Sequence, residues 1–211
     1  MFITLEGPEG SGKTSAVKVV VERLTKMGYN IVQTREPGGT PIAEQIRNVI
    51  LDVNNTKLDP RAEALLYAAS RRQHLVEKVW PALKEGKIVI CDRFLDSSLA
   101  YQGGARNLGV DNILNINMFA TEGTFPDLTL LFDIDPKIGL ERIAKNANRE
   151  VNRLDLEKLD FHKKVRQTFL ELAKRFPNRF VVIDASKSME EVAENTYKAI
   201  MEKLNANRRI S

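Results

Sequence analysis

The sequence contains little cysteine and histidine and no long apolar run. One cysteine, Cys91, and two histidines occur among 211 residues. A single thiol excludes an intrachain disulfide and a cysteine-based metal quartet, and it is typical of a reducing compartment. No segment approaches the roughly eighteen consecutive apolar residues of a membrane span, and the amino terminus lacks the basic and apolar blocks of a signal peptide. We therefore expect a cytoplasmic protein that has no contact with a membrane.

A large surplus of one charge sign is also missing. The chain has 32 Lys and Arg against 28 Asp and Glu, a formal net charge of +4. A small basic surplus suits a polyanionic partner, but it does not distinguish a nucleotide from a nucleic acid. Two classes of function therefore stay open on composition: an enzyme that acts on a phosphorylated small molecule, and an ATP-dependent module that binds nucleic acid or a protein partner.

Short apolar segments alternate with helical patterns along the whole chain. These segments predict five strands, at 2–5, 30–35, 87–94, 128–134 and 179–184. Between them, apolar residues recur at helical spacing. Strands separated by helices favour a mostly parallel sheet that is covered on both faces. Since we find no linker, repeat or low-complexity tract, the sequence predicts one three-layer α/β domain over residues 1–211.

A glycine-rich turn follows the first predicted strand. Residues 7–14, GPEGSGKT, match the phosphate-loop pattern G-x-x-x-x-G-K-[ST]. In such a loop, backbone N–H groups turn inward around phosphates, Lys13 reaches the terminal phosphates and Thr14 ligates Mg²⁺. The following helix adds partial positive charge at its amino terminus. We therefore predict an ATP site at this turn.

A second candidate metal ligand ends the third predicted strand. Asp92 follows four apolar residues in IVICD, residues 88–92, and Arg93 comes next. An acid at this position can hold Mg²⁺ or its water. An isolated acid after a strand is more often a helix cap or a turn residue. Together with the phosphate loop, however, Asp92 is predicted to be a magnesium ligand.

Absent motifs narrow the reaction class. The chain contains no N-K-x-D or D-x-x-G motif, which disfavours a GTPase. A phosphotransferase instead needs arginines from several elements and a basic lid that excludes water. The chain has dispersed arginines and a polar, basic segment, NANREVNR at 146–153. This segment is a candidate lid, and a solvated loop is the alternative interpretation.

Several longer blocks resemble the bacterial thymidylate kinase family. They are TREPGGTP at 34–41, RAEALLYAASRRQHL at 61–75, CDRFLDSSLAYQG at 91–103 and FPDLTLLFDI at 125–134. With the phosphate loop, these blocks cover most of the chain in the order of the family. The resemblance implies a P-loop kinase fold that moves the γ-phosphoryl of ATP, with Mg²⁺, onto the small molecule dTMP. It implies no nucleic-acid partner, and it implies a homodimer.

The resemblance also implies which residues bind each nucleotide. The ATP phosphates would be held by Glu9, Gly10, Ser11, Gly12, Lys13, Thr14 and Ser15. The acceptor nucleotide would be held by Glu36, Pro37, Arg47, Tyr67, Arg71, Arg93, Ser98, Tyr101 and Gln102. The implied metal ligands are Thr14 and Asp92. Arg47 and Arg93 would bind the acceptor phosphate, and Glu36 would lie beside the deoxyribose and the metal.

The prediction of a base-binding site rests on helical spacing and on the family resemblance. Tyr67 and Arg71 lie four residues apart, so they share one helical face and set an aromatic plane beside a planar donor. The resemblance implies that Tyr67 stacks on thymine and that Arg71 donates to its O4. It places Ser98 and Gln102 at the base edge and Tyr101 against the sugar. From spacing alone, Tyr67 could equally be a core aromatic beside a surface arginine.

The position of the catalytic arginine divides the thymidylate kinases. Some carry it in the phosphate loop and others in the lid, and this loop has Glu9 and no arginine, so the chain resembles the lid type. The lid is predicted at about 142–153. The predicted catalytic residues are Lys13, Arg93, Arg149 and Arg153. A kinase for another nucleotide that shares the loop and the lid is the nearest alternative.

Several other residues receive weaker roles. Arg142 could serve ATP binding instead of catalysis, and analogy of fold places adenine near Ala185 and Ser186. No general base is predicted, because a phosphate oxygen of the acceptor is already anionic. His74 and His162, both on predicted helices, are interpreted as surface or packing residues.

Overall fold

The computed structural model describes residues 1–145 and 153–208, in which five strands form one sheet. The strands are β1 (Phe2–Glu6), β2 (Ile31–Arg35), β3 (Ile88–Asp92), β4 (Leu128–Asp133) and β5 (Phe180–Asp184). Their order across the sheet is β2-β3-β1-β4-β5, and every neighbouring pair is parallel. The predicted five-stranded parallel sheet is confirmed.

Helices connect the strands. The α-helices are α1 (Lys13–Lys26), α2 (Pro41–Leu51), α3 (Pro60–His74), α4 (Trp80–Lys84), α5 (Leu95–Ser98), α6 (Val110–Thr121), α7 (Pro136–Ala144), α8 (Leu159–Arg175) and α9 (Met189–Arg208). π-Helical segments at Leu75–Val79 and Leu99–Ala105 continue α3 and α5, and a 3₁₀ segment at Arg153–Leu156 precedes α8. α3, the first π-helical segment and α4 therefore follow one another directly from Pro60 to Lys84. Within the described ranges, no helix is both long and apolar enough to cross a membrane.

The sheet separates two apolar clusters, one on each face. Successive residues of a strand point to opposite faces, so Ile3 and Leu5 of β1 pack into one cluster and Phe2 into the other. The cluster that contains Ile3 also contains the buried stripe of α1 and residues of α9 such as Ile200. The cluster that contains Phe2 includes residues of α3, α8 and the π-helical segment Leu99–Ala105. The expected helical layer on each face of the sheet is confirmed.

Cys91 lies in the middle of this arrangement, on β3. It is fully buried in the cluster that contains Phe2. Its thiol donates to the carbonyl oxygen of Arg93 at 3.0 Å. Burial raises the pKa of the Cys91 thiol, and the nearby Glu36 and Asp92 carboxylates add to the rise.

An ion pair fastens α5 to the residue that precedes β5. Arg179 donates through Nη1 and Nη2 to the two carboxylate oxygens of Asp96, at 2.6 and 2.7 Å. Asp96 is fully buried, so its charge requires a partner in this geometry. The pair therefore fixes α5 and the following π-helical segment, which contains Tyr101 and Gln102, against the sheet.

Candidate active site

The phosphate loop connects β1 to α1 and lies against two other elements. Gly10 and Gly12 have φ angles of 71° and 78°, which favour glycine. A Cβ at Gly10 would lie 2.1 Å from the carbonyl oxygen of Gly139 on α7. A Cβ at Gly7 would lie 2.4 Å from the carbonyl oxygen of Phe132 on β4. Close packing and backbone conformation together therefore require glycine at positions 7 and 10, whereas at position 12 only the backbone conformation favours it.

Lys13 is buried beneath the loop. Its Nζ donates to the carbonyl oxygen of Gly7 and to Ser11 Oγ, both at 3.4 Å. Burial lowers the pKa of Lys13, and the neighbouring Arg93 guanidinium lowers it further. The loop borders a cavity whose lining includes every loop residue predicted to bind ATP phosphates, together with Asp92, Arg93, Arg142, Ile143, Ala185 and Lys187. We call this the phosphate-loop cavity.

Thr14 and Asp92 meet at one edge of the phosphate-loop cavity. Thr14 Oγ1 donates to Asp92 Oδ2 at 3.2 Å. The other carboxylate oxygen, Asp92 Oδ1, is buried without a hydrogen-bond partner among the described residues. A hydroxyl beside a carboxylate oxygen that lacks a partner matches the hard oxygen ligands that Mg²⁺ prefers. The two residues therefore fit the magnesium site predicted from the sequence.

A second cavity lies next to the first. It is lined by Glu9, Arg35, Glu36, Pro37, Arg47, Leu51, Tyr67, Arg71, Asp92, Arg93, Ser97, Ser98, Tyr101, Gln102 and Leu154. All nine residues predicted to bind the acceptor nucleotide are in this set. We call it the acceptor cavity. It shares Glu9, Asp92 and Arg93 with the phosphate-loop cavity, so the two cavities meet at these three residues.

Arg93 connects the two cavities. Its Nη1 donates to the carbonyl oxygen of Gly7 at 3.2 Å, and its Nη2 donates to Glu9 Oε1 at 2.7 Å. The Tyr101 hydroxyl donates to the same Glu9 oxygen at 3.2 Å. Arg93 has a φ angle of 68°, in the left-handed region that non-glycine residues rarely adopt. Burial lowers the pKa of Arg93, but Tyr101 and the surrounding carboxylates outweigh burial and leave the pKa raised.

The far wall of the acceptor cavity is a buried network around Arg71, which is 1% exposed. Its Nε donates to Glu36 Oε2 at 2.7 Å, and its Nη1 donates to Ser98 Oγ at 3.1 Å and to Asn117 Oδ1. The other Glu36 oxygen lies 2.9 Å from Nδ1 of His74. The network holds the predicted base-binding arginine in one orientation.

The turn after β2 carries Glu36 and Pro37, and Arg47 reaches it from α2. The Glu36–Pro37 peptide bond is cis. The carbonyl oxygen of Pro37 accepts hydrogen bonds from Arg35 Nη1 at 2.9 Å and from Arg47 Nη1 at 3.2 Å. Arg47 therefore lies at the cavity wall and not on a solvated helix face.

Comparison with known proteins identifies the family. A family model described as thymidylate kinase matches residues 5–196. This chain belongs to the thymidylate kinase family. A thymidylate kinase of Geobacillus sp. (strain WCH70) is 58% identical over 203 residues, which are 96% of this chain and 97% of the relative. The thymidylate kinase of Clostridium novyi (strain NT) is 60% identical over 193 residues, 92% of this chain and 94% of the relative.

A solved structure agrees with this assignment. The crystal structure of thymidylate kinase from Ehrlichia chaffeensis superimposes with a TM-score of 0.76 and 34% sequence identity, over 95% of this chain and 98% of that chain. The resemblance inferred from the sequence blocks is therefore confirmed, and so is the P-loop kinase fold.

Of the two arginines predicted in the lid of this thymidylate kinase family member, the structure describes only Arg153. Arg149, with the rest of 146–152, is outside the described residues. Arg153 is buried, and its guanidinium donates to the carbonyl oxygen of Ile50 at 3.0 Å and to a carboxylate oxygen of Glu63. Arg153 is not among the described residues that line either cavity.

Three residues of the site were missed by sequence reasoning. Asn117 and His74 hold the Arg71 and Glu36 side chains, and Glu63 accepts a hydrogen bond from Gln102. Glu63 and His74 lie four residues before Tyr67 and seven after it, so helical spacing to the predicted base site could have indicated them. Asn117, on α6, gives no comparable local signal.

Glu6 ends β1 directly before the phosphate loop and is fully buried. It accepts hydrogen bonds from the Phe94 backbone N–H at 2.8 Å and from Ser97 Oγ at 2.5 Å. Burial raises the pKa of Glu6 from its ordinary value of 4.5 to about 8, and the nearby Asp96 carboxylate adds to the rise. The folded chain therefore binds a proton at Glu6 at pH values where the unfolded chain does not.

We predict that Glu6 makes the protein less stable as the pH rises from about 4.5 to 8. In that window the folded state binds more protons than the unfolded state, so the free energy of unfolding falls by at most about 1.4 kcal/mol per pH unit. Glu6→Gln should remove this fall. Chemical denaturation of both proteins between pH 5 and 8.5 measures it, with Glu22→Gln on the exposed side of α1 as the control. Identical pH dependence in wild type and Glu6→Gln would contradict the prediction.

Proposed function

We propose that this chain transfers the γ-phosphoryl group of ATP to dTMP and releases dTDP and ADP. The observation that carries the proposal is the pair of cavities that meet at Glu9, Asp92 and Arg93. One cavity is formed by a phosphate loop, and the other has an aromatic ring and hydrogen-bonding side chains suited to a base. Membership of the thymidylate kinase family supports ATP as donor and dTMP as acceptor.

On the donor side, the proposed roles follow from the phosphate loop. Its backbone N–H groups bind the phosphates of ATP, and Lys13 donates to the terminal phosphates. Thr14 and Asp92 are the residues that would hold Mg²⁺, which when bound would neutralise charge on the β- and γ-phosphates. Arg142 and Ala185 border the far end of the same cavity, where Arg142 Nη1 donates to the Ala185 carbonyl oxygen at 3.1 Å. We propose that this end receives the adenosine.

On the acceptor side, we propose that Tyr67 stacks on thymine and that Arg71 donates to O4. The hydrogen bonds of Arg71 to Glu36, Ser98 and Asn117 hold its guanidinium in place before the nucleotide binds. Such preorganisation lowers the cost of binding. Ser98 and Gln102 would contact the base edge.

The sugar and phosphate of the acceptor occupy the part of the cavity nearest the phosphate loop. Tyr101 would pack against the deoxyribose, with Glu36 and Pro37 on the opposite side. Arg47 and Arg93 would neutralise the acceptor phosphate. Because Arg93 also contacts the phosphate loop, it would draw the attacking oxygen and the γ-phosphorus together. The acceptor oxygen is already anionic, so no protein group needs to remove a proton.

We propose that residues 1–211 form a single domain and that about 142–153 forms its lid. Arg149 would brace the γ-phosphoryl group during transfer. Arg153 carries the same prediction from the sequence, but its guanidinium is occupied by Glu63 and Ile50. We therefore assign the larger catalytic contribution to Arg149 and a mainly anchoring role to Arg153.

The first test is ADP release from ATP and Mg²⁺ with dTMP, dUMP, dCMP, dGMP and AMP as acceptors. We expect turnover led by dTMP and weaker with dUMP. Turnover should be lost when Mg²⁺ is chelated, and it should also be lost in Lys13→Ala. The reason is that Mg²⁺ and the Lys13 ammonium group both neutralise phosphate charge at the transition state. Circular dichroism of Lys13→Ala serves as the folding control.

Other results of this assay would overturn the proposal. If dTMP is inert and another acceptor turns over, the chain is a kinase but the assigned base site is wrong. If folded protein turns over no small acceptor and binds nucleic acid with a steep salt dependence, it is an ATP-dependent nucleic-acid-binding module.

The two lid arginines should respond differently to removal. Arg149→Ala should lower kcat by about 10³-fold with an unchanged unfolding midpoint, because an arginine at the transferred phosphoryl group acts in the transition state. Arg153→Ala should instead lower the free energy of unfolding by about 3 kcal/mol, since it breaks a buried ion pair, and should reduce kcat less. Steady-state kinetics and urea denaturation of both variants measure this, and the reverse order of kcat losses would contradict it.

We also propose that the chain forms a homodimer through α3 and α6. These helices pack together, and Arg72 of α3 donates to the carbonyl oxygen of Ala120 of α6 at 3.4 Å. On this pair of helices Phe119 is 91% exposed and Leu65 is 57% exposed. Large apolar side chains left open to water on adjacent helices favour burial against another chain. A second copy of the same surface would cover them by two-fold symmetry.

Phe119→Asp should convert the dimer to a monomer, because it would bury two carboxylates at the interface. Light scattering after size-exclusion chromatography measures the mass, with Val19→Asp, an exposed position on α1, as the control. A monomeric wild type, or a dimeric Phe119→Asp, would exclude this interface.

A further inference from the structure

A buried carboxylate lies directly behind the acceptor cavity. Glu63 of α3 is fully buried and is not among the described residues that line the cavity. Its Oε1 accepts a hydrogen bond from Gln102 Nε2 at 2.7 Å. Its Oε2 accepts from Arg153 and lies 3.5 Å from Arg106 Nη2. Two guanidinium groups therefore hold the carboxylate while its other oxygen contacts Gln102.

This contact determines how the Gln102 amide is oriented. A carboxylate can only accept hydrogen bonds, so the NH₂ end of the amide must face Glu63. The planar amide then directs its Oε1 away from Glu63. Gln102 is 1% exposed and lines the acceptor cavity, so Oε1 is the hydrogen-bond acceptor that the amide can offer the base, while Glu63 takes one of the two amide N–H groups.

A hydrogen-bond acceptor at the position of Gln102 Oε1 discriminates between pyrimidine bases. Thymine and uracil carry an N–H donor at N3, whereas cytosine has a lone pair there. A cytosine ring in the same pose would set two acceptors against each other and leave both without a hydrogen bond. Sites that hydrogen-bond one substrate group can reject an analogue without it by about 10⁴-fold or more.

We propose that Glu63 is a positioning residue that fixes the orientation of the Gln102 amide and thereby sets the preference for pyrimidine nucleotides with an N3 donor over cytidine nucleotides. This proposal rests on the proposed function, because it takes the acceptor cavity as the nucleotide site. Glu63 acts through Gln102 and does not touch the base. Arg106 and Arg153 contribute by holding the carboxylate in place.

Glu63→Gln tests the proposal with a side chain of nearly the same shape. A glutamine at position 63 can donate as well as accept, so the Gln102 amide can turn over and present its NH₂ group to the cavity. We expect the ratio of kcat/KM for dTMP to that for dCMP to fall by about tenfold or more. The KM for ATP should not change. Glu22→Gln, the same change on the exposed side of α1, should keep the wild-type ratio.

A second variant restores the proposed orientation by exchanging the two side chains. In Glu63→Gln/Gln102→Glu, the amide at position 63 donates to the carboxylate at position 102, whose other oxygen again faces the cavity as an acceptor. The exchange also keeps the number of carboxylates unchanged. We expect it to recover part of the ratio that Glu63→Gln loses. A folded Glu63→Gln with an unchanged ratio would overturn the proposal, as would an exchange variant no more selective than Glu63→Gln.

A binding measurement separates this proposal from the proposed function. The rise in melting temperature caused by dTMP and by dCMP reports their relative affinity without turnover. A wild type that binds dTMP over dCMP but transfers no phosphoryl group would overturn the proposed function alone, and the melting shifts of the variants would still decide the role of Glu63. A wild type that binds both nucleotides equally would overturn the role of Glu63.

Discussion

The parallel pairing of β1 with β3 is the constraint on which both cavities depend. Leu5 pairs with Asp92, so the strand that enters the phosphate loop ends beside the strand that ends in the aspartate proposed as a magnesium ligand. For this reason Thr14 reaches Asp92, and Arg93 reaches the loop at Gly7. A shift of register by one residue would turn Asp92 to the other face of the sheet. The backbone hydrogen bonds of the sheet therefore determine where the two cavities meet.

Paired buried charges complete the site on the acceptor side. A buried guanidinium such as that of Arg71 is tolerated because Glu36, Ser98 and Asn117 satisfy it. These partners come from the turn after β2, from α5 and from α6, so three separate parts of the chain have to fold before Arg71 is correctly placed. The network around Arg71, which we propose as part of the base site, is thus a product of the tertiary fold. The phosphate loop, in contrast, is largely specified by one short segment.

This difference explains how much the sequence could predict. The sheet, the phosphate loop and many of the residues that line the two cavities follow from local patterns and from family resemblance. The π-helical segments could not be predicted, because their side chains give the same local signals as an α-helix. The contact of Arg153 with Glu63 joins residues 90 positions apart, and no spacing rule indicates it. Sequence reasoning identified residues that line the two cavities and missed Asn117, His74 and Glu63, which hold some of those side chains in place.

The reactivity of the Cys91 thiol can report how often strand β3 becomes exposed to solvent. The chain has one thiol, and it is buried on β3, between β1 and β2. Thiol reagents attack the exposed thiolate, so they can modify the protein only when β3 separates from the elements that cover it. The rate of modification therefore measures how often the strand carrying Asp92 and leading to Arg93 becomes accessible. Nucleotides that bridge the two cavities would slow that reaction without any contact with sulfur.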